Sequence, residues 1–381
     1  MIYFDNAATT PVAEPVKAQV VELLDKFANP SSRYAPAKEA YQMIYDSEKE
    51  ILELLGADPK EYNVYFTSGA TEANNWAISS FAHQNPNGCA IIASGIEHPS
   101  VHNAILKYSD ESNYCKHRFA KTNENGIVDT DDLLEACFDF PLFPKMVSVM
   151  AVNNQLGTVQ PIEYIGALCG EIFKEKKLFH VDATQAIGHT GIDLGLGNID
   201  MLSASAHKFG GLKGTGFLVC KKDLCITPMI VGGKQNKNRR AGTENVIGIV
   251  TTATALRESL KDLASKQKKI CEMKEHILSG LTPGSYEVNG SPNASGILNI
   301  SLKNNTGDGA SLYLEAKHIY VSTTSACESR ESSEIKNRIL EACGFDEERI
   351  RGAIRISLSA DNTKEECAVL IRELNYINEK R

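Results

Sequence analysis

No stretch of the 381 residues is long and apolar enough to cross a bilayer, so no membrane-spanning helix is expected. The opening, Met1-Ile2-Tyr3-Phe4-Asp5, lacks the basic-then-apolar pattern of a secretory leader. Neither sign of charge dominates. Lys and Arg number 40 against 48 Asp and Glu, a net charge of -8, and a chain without basic excess is not built to hold nucleic acid or an anionic membrane. The ten cysteines show no disulfide or zinc framework. They are scattered from Cys89 to Cys367, and no histidine or second pair completes a ligand set around the closest two, Cys220 and Cys225. Free thiols in a reducing cytoplasm, with no metal, are therefore expected. Internal repeats and low-complexity segments are also missing. What remains is ordinary for a globular chain, 42% hydrophobic and 23% charged, and long enough for one large domain and a smaller one.

Short apolar runs alternate with helical patterns through the first two thirds. Strands are predicted at Val64-Tyr65-Phe66, 90–93, 146–152, 178–181, 201–204 and 216–220. Helices are predicted over 35–55, ended by Gly56, and over 162–174, with another starting near Glu72. Strands alternating with helices imply an α/β fold whose mainly parallel sheet is covered on both faces. From about Val246 the character changes. One long helical pattern to about Leu281 precedes short strands at 286–288, 297–302 and 354–358, which reads as a smaller α+β domain. The basic run from Lys234 to Arg240 reads as a loop near a subunit interface.

Four strand-to-helix corners carry reactive groups. In Ser203-Ala204-Ser205-Ala206-His207-Lys208-Phe209-Gly210-Gly211 a lysine follows a strand and precedes a glycine turn, where an open parallel sheet binds its ligands. Lys208 there could bond covalently to an aldehyde, or could be a surface lysine at a loop start. Asp182, in His180-Val181-Asp182-Ala183-Thr184-Gln185, ends a strand. It suits either a buried cation such as a protonated pyridine or a helix cap. The small residues of Thr67-Ser68-Gly69-Ala70-Thr71-Glu72-Ala73-Asn74-Asn75 could cradle a phosphate at a helix start, with Thr71 as a plain cap the alternative. In Glu97-His98-Pro99-Ser100-Val101 a helix-starting proline holds His98 at a corner, where it could stack on a ring or move a proton.

These segments, in this order, resemble the cysteine desulfurases of the class V aminotransferase family. The resemblance extends through residues 4–11, 29–32, 152–157, 239–245, 321–329 and 355–357, nearly the whole chain. It implies the type I fold of pyridoxal-phosphate-dependent transferases. A seven-stranded sheet would form a large domain over 12–260. Residues 1–11 and 261–381 would form the small domain, with a cysteine loop at about 322–333. It further implies that Lys208 holds pyridoxal 5'-phosphate, Asp182 pairs with the ring nitrogen, His98 stacks on the ring and Gln185 bonds its hydroxyl. Ala70, Thr71, Ser205 and His207 would hold the phosphate. Thr243 would reach the phosphate of a neighbouring subunit, which implies a homodimer. Asn154 would sit near the ring hydroxyl as a cofactor contact, and with Arg355 would bind the carboxylate of L-cysteine. Cys327 would take the sulfur as a persulfide and pass it to an acceptor protein. Selenocysteine lysis, transamination and a silent scaffold are the rival readings on the same fold, and whether His98 deprotonates the substrate or Cys327 is left open. Tyr34, Ala37, Leu212, Thr324 and Ser359 depart from the family's usual residues without removing a reactive group.

Overall fold

The computed structural model describes residues 1–111, 114–172, 177–291, 296–323 and 333–379. Strand β1 (Ile2–Tyr3) opens the chain. There follow β2 (Tyr62–Thr67), β3 (Cys89–Ser94), β4 (Cys115–Ala120), β5 (Lys145–Met150), β6 (Lys177–Asp182), β7 (Met201–Ser205) and β8 (Gly216–Lys221). The last four are β9 (Tyr286–Asn289), β10 (Ile297–Leu302), β11 (Ile319–Tyr320) and β12 (Ala353–Ser357).

Seven strands form the large sheet, in the order β2-β8-β7-β6-β5-β3-β4. Only β8 runs against its neighbours β2 and β7. Alternation along the strands explains the layering. Val64, Phe66, Ile92, Val147, Phe179, Val181, Leu202 and Val219 join one core with Ile51, Leu133, Ile165 and Leu256 of helices on that face. Tyr65, Ile91, Met146, Leu178, Met201 and Leu218 join a second core with Trp76, Phe81 and Ile105 of helices on the other. The strands are buried on both sides, as a doubly wound sheet requires, except the edge strand β4, where only Cys115 and Ala120 are buried.

The smaller sheet, β12-β10-β9, is antiparallel. Its core draws on Phe4 and on residues between Ile270 and Leu374. β1 pairs in parallel with β11, Ile2 with Ile319, so the start of the chain is stitched into this unit. A fourth cluster joins the two units, with Ile96, Met150 and Leu156 against Ile339, Leu340 and Phe345.

Two expectations are corrected. The helical pattern of 246–281 is two helices, Val246–Leu260 and Leu263–Gly280, parted by extended Lys261 and left-handed Asp262 (φ 53°). The strand expected over 146–152 ends at Met150, after which Val152 only bridges Val159.

Candidate active site

The parallel strands end along one edge, and there the chain builds a cavity of about 350 Å3. β2 delivers Ser68 and Gly69, β5 delivers Met150 and Asn154, β6 delivers Asp182 and Gln185, and β7 delivers Ser205, His207 and Lys208. His98 follows β3, and because β8 is reversed, it is its beginning, at Gly214, that reaches the same edge. Arg355 comes from β12 of the small sheet and closes the cavity. Ala70, Thr71, His98, Asn154, Asp182, Gln185, Ser205, His207, Lys208 and Arg355 thus all line one space.

At one end the cavity meets the start of helix Ala70–Gln84. The capping position is Gly69, with φ 153°, and no side chain caps the helix. Its first amides are therefore available to an anion, beside the helix's positive pole. A Cβ on Gly216 would stand 2.6 Å from Gly69 Cα and 2.5 Å from Ala204 O, so strand and corner approach as only glycine permits. Glu72, an acidic group in that first turn, is bound by Arg240 at 2.9 and 3.2 Å. Its burial opposes ionisation, but the Arg240 and Ser68 hydrogen bonds outweigh that and hold its pKa low.

In the middle lies Asp182, 3% exposed. Its Oδ1 accepts from Thr184 N (3.0 Å) and Thr184 Oγ1 (2.5 Å), and its Oδ2 accepts from Asn74 Nδ2 (2.8 Å). Among the described residues it has no ion-pair partner. A buried carboxylate held by neutral donors alone is matched to a cationic ligand, and a protonated pyridine nitrogen fits that demand.

Lys208 extends to the N-terminal segment, where Nζ donates to Ala7 O (2.5 Å) and Ala8 O (2.9 Å). Gln185 Nε2 also donates to Ala7 O (2.8 Å), and His207 Nδ1 meets Thr9 Oγ1 at 3.1 Å. Residues 7–9 therefore form a wall whose backbone carbonyls gave no signal in the sequence. Burial and the cations Lys208 and Lys213 depress the His207 pKa to about 4. His98 is likewise about 4. Desolvation leads, Lys208 and Arg338 add to it, and Asp182 opposes them.

Arg355 is 1% exposed. Its guanidinium donates to Asn154 O (3.0 Å) and pairs with Asp5 (2.7 Å). Among the described residues, Arg355 Nε and Asn154 Oδ1 are buried without a partner, one donor and one acceptor left over at the small-sheet end of the cavity.

Thr243 does not line this space. It is exposed on a second cavity of about 100 Å3 that shares Ser68 and Gly214 with the first. Cys327 and Thr324 lie outside the described residues. Asn74, Ser100, Thr184 and Asp5 take parts in the site that the sequence reading did not assign. Asp5, Asn74, Ser100 and Thr184 stood within quoted segments, but as an acid, an amide and two hydroxyls near turns or helix starts they were indistinguishable from ordinary caps.

Residues 2–370 match the family described as Aminotransferase class-V. A cysteine desulfurase IscS of Methanosarcina thermophila is 39% identical over 372 residues, covering 96% of this chain and 89% of the relative. A solved NifS-like protein superposes with a TM-score of 0.90 at 31% identity, covering 99% of both chains. A solved structure described as SspA in complex with cysteine gives a TM-score of 0.80 at 30% identity, covering 95% of this chain and all of that one.

Proposed function

Because the chain belongs to the class-V aminotransferase family, we propose that it is a pyridoxal-phosphate-dependent cysteine desulfurase, taking sulfur from L-cysteine and leaving L-alanine. The observation that carries this reading is the gathering of Lys208, His98, Arg355 and the Asp182 carboxylate, which has no ion-pair partner among the described residues, in one cavity beside an uncapped helix start. When bound, the cofactor supplies a covalent attachment for an amine and an electron sink for the α-carbon.

The chain's own residues do the rest. The amides at Ala70 and Thr71, with Ser205 and His207, would hold the phosphate. Asp182, fixed through both oxygens, would pair with the protonated ring nitrogen, His98 would stack on the ring and Gln185 would bond its hydroxyl. Lys208 would provide the amine for attachment and the base for the α-proton. Arg355 would take the substrate carboxylate through Nε, the donor left unpaired among the described residues, and Asn154 would meet it through its amide N–H, since Oδ1 only accepts.

Cys327 then attacks the substrate sulfur as a thiolate. The carbon–sulfur bond breaks and its electrons stay with carbon, which gains a proton to become the alanine methyl. The sulfur remains on Cys327 as a persulfide, for a sulfur-acceptor protein of an iron–sulfur or thiolation pathway.

The working form is a cytoplasmic homodimer in which Thr243 serves the partner's phosphate site. Its exposure and the wall it shares at Ser68 and Gly214 support that placement. Incubation with L-cysteine is expected to yield alanine and an extra sulfur mapped to Cys327. Alanine without protein-bound sulfur, or sulfur on another cysteine, would overturn it.

A further inference from the structure

Asn74 is fully buried on the helix that begins at Gly69. Its Nδ2 has two hydrogens and both are used, one on Asp182 Oδ2 (2.8 Å) and one on Ser100 Oγ (2.9 Å). The amide's orientation follows from chemistry. Turned over, Oδ1 would face a carboxylate, acceptor against acceptor. Among the described residues Oδ1 is left buried and unpartnered instead, which shows which demand prevails.

Direction passes on from Asn74. The Ser100 hydroxyl accepts from Asn74, so its single hydrogen is directed at its other neighbour, His98 Nδ1, at 2.8 Å. The Ser100 backbone N–H reaches the same nitrogen at 3.1 Å. A backbone N–H can only donate. Nδ1 is therefore an acceptor and carries no hydrogen, and the proton of the neutral ring sits on Nε2.

We propose that Asn74 and Ser100 are positioning residues of a hydrogen-bond relay in which Asn74 donates to both Asp182 and Ser100 and Ser100 donates on to His98, which fixes His98 as the Nε2–H tautomer. In this form His98 offers a hydrogen bond from Nε2 and has no lone pair there to take a proton. Its importance for the reaction rests on the reading of this cavity as a desulfurase site. There it gives an answer to the question of what His98 deprotonates. It enters the reaction as a donor, and neither the substrate thiol nor Cys327 loses its proton to the resting ring.

The charged groups facing His98 are Asp182 from β6, Lys208 after β7 and Arg338 from helix Ser333–Ala342. Asp182 favours the charged ring and the two cations oppose it. The relay removes a means by which Asp182 would win, since Ser100 must turn its hydroxyl away from Nδ1 before that nitrogen can hold a proton.

The test is nitrogen NMR of the full-length protein labelled at histidine, with and without pyridoxal phosphate, and with the His98 signals assigned by loss in His98→Gln. Wild type should show Nε2 protonated and Nδ1 not, from pH 8 down to pH 5. Ser100→Ala removes one donor from Nδ1, and Asn74→Ala frees the hydroxyl to turn. Each should raise the His98 pKa by roughly half to one unit, the three- to tenfold change of one ordinary hydrogen bond, and Ser100→Thr should restore it. A wild-type ring protonated at Nδ1 at pH 7, or a pKa unmoved in both alanine variants, would overturn the relay. The wild-type spectrum alone decides if a variant fails to fold. Alanine production is measured separately, so loss of the desulfurase reading leaves the tautomer result standing.

Discussion

Lys208 and Arg355 face each other across the cavity, and each is fastened differently. Lys208 is tied at its tip to the carbonyls of Ala7 and Ala8, so Lys208→Ala leaves the sheet intact and removes the amine proposed for covalent attachment. Reduction with borohydride is expected to fix pyridoxal phosphate to the wild-type chain at Lys208, and to fix none at the cavity of the variant; peptide mapping reads this directly. Arg355 is tied by Asp5 and Asn154 and still leaves Nε unpaired. A lysine there has no planar fork. Arg355→Lys is expected to raise the KM for cysteine about ten- to hundredfold, the weight of one charged hydrogen bond of about 1.5–3 kcal/mol, with a smaller change in kcat. An unchanged KM would move the carboxylate elsewhere. The sequence displayed the groups with reactive ends, because a lysine, an aspartate and a histidine at strand ends are conspicuous. Asn74 and Ser100 escaped notice because their work depends on which way an amide and a hydroxyl point, and that appears only once helix and strand are side by side.

Among the elements, the start of helix Ala70–Gln84 is the most exacting. Gly69 stands at φ 153° with extended ψ 178°, a conformation essentially closed to other residues. A Cβ there would also come 3.3 Å from Ser205 Oγ. Gly69→Ala is expected to cost about 1–3 kcal/mol of stability and to weaken phosphate-cofactor binding more than Ser68→Ala does, as a denaturant midpoint and a cofactor titration would show. Strand–helix alternation made this corner legible, since a strand followed by small residues and a helix has few other readings. The break at Lys261-Asp262 was illegible for the opposite reason. No glycine or proline marks it, the apolar spacing runs through it, and only an aspartate's tolerance of the left-handed region allows it. β11, two residues long and paired to the far end of the chain, was equally hidden, because its partner Ile2–Tyr3 is more than 300 residues away.

For the molecule as a whole, buried titratable groups set the pH response. His98, His102, His180 and His207 are all held near pKa 4 from an ordinary 6.5, with burial the first cause in each. His180 shows why: its ring is spanned by Ser148 Oγ and Ser203 Oγ, each at 2.9 Å, in a fully buried row across three strands. Unfolding lets these rings bind protons, so their contribution is complete above pH 6.5 and is lost as pH falls toward 4. Glu97 has the opposite sign. Burial raises its pKa from 4.5 to about 8, against hydrogen bonds from Ser94 and Met150. Its folded form prefers a proton that the unfolded chain releases, so stability declines as pH rises from 4.5 to 8. Four groups against one make the balance positive below pH 6.5, and above it Glu97 acts alone. Among these groups the optimum is near pH 6.5, and Glu97→Gln should flatten the decline between 6.5 and 8; urea midpoints across pH 4–9 measure both.

The stitching of residues 2–9 to distant parts of the chain also bears on synthesis. These residues leave the ribosome before any strand of the large sheet. Yet Ile2 waits for Ile319, Asp5 for Arg355, and Asn6 for the carbonyl of Ser357. The large sheet has all its strands once residue 221 has emerged and can fold as a unit. By then the wall of Ala7 and Ala8 has, of its long-range bonds, only those to Gln185 and Lys208. Its fastening to Ser357, and Arg355 itself, arrive more than a hundred residues later, so a growing chain holds its lysine in a site still open on the small-sheet side.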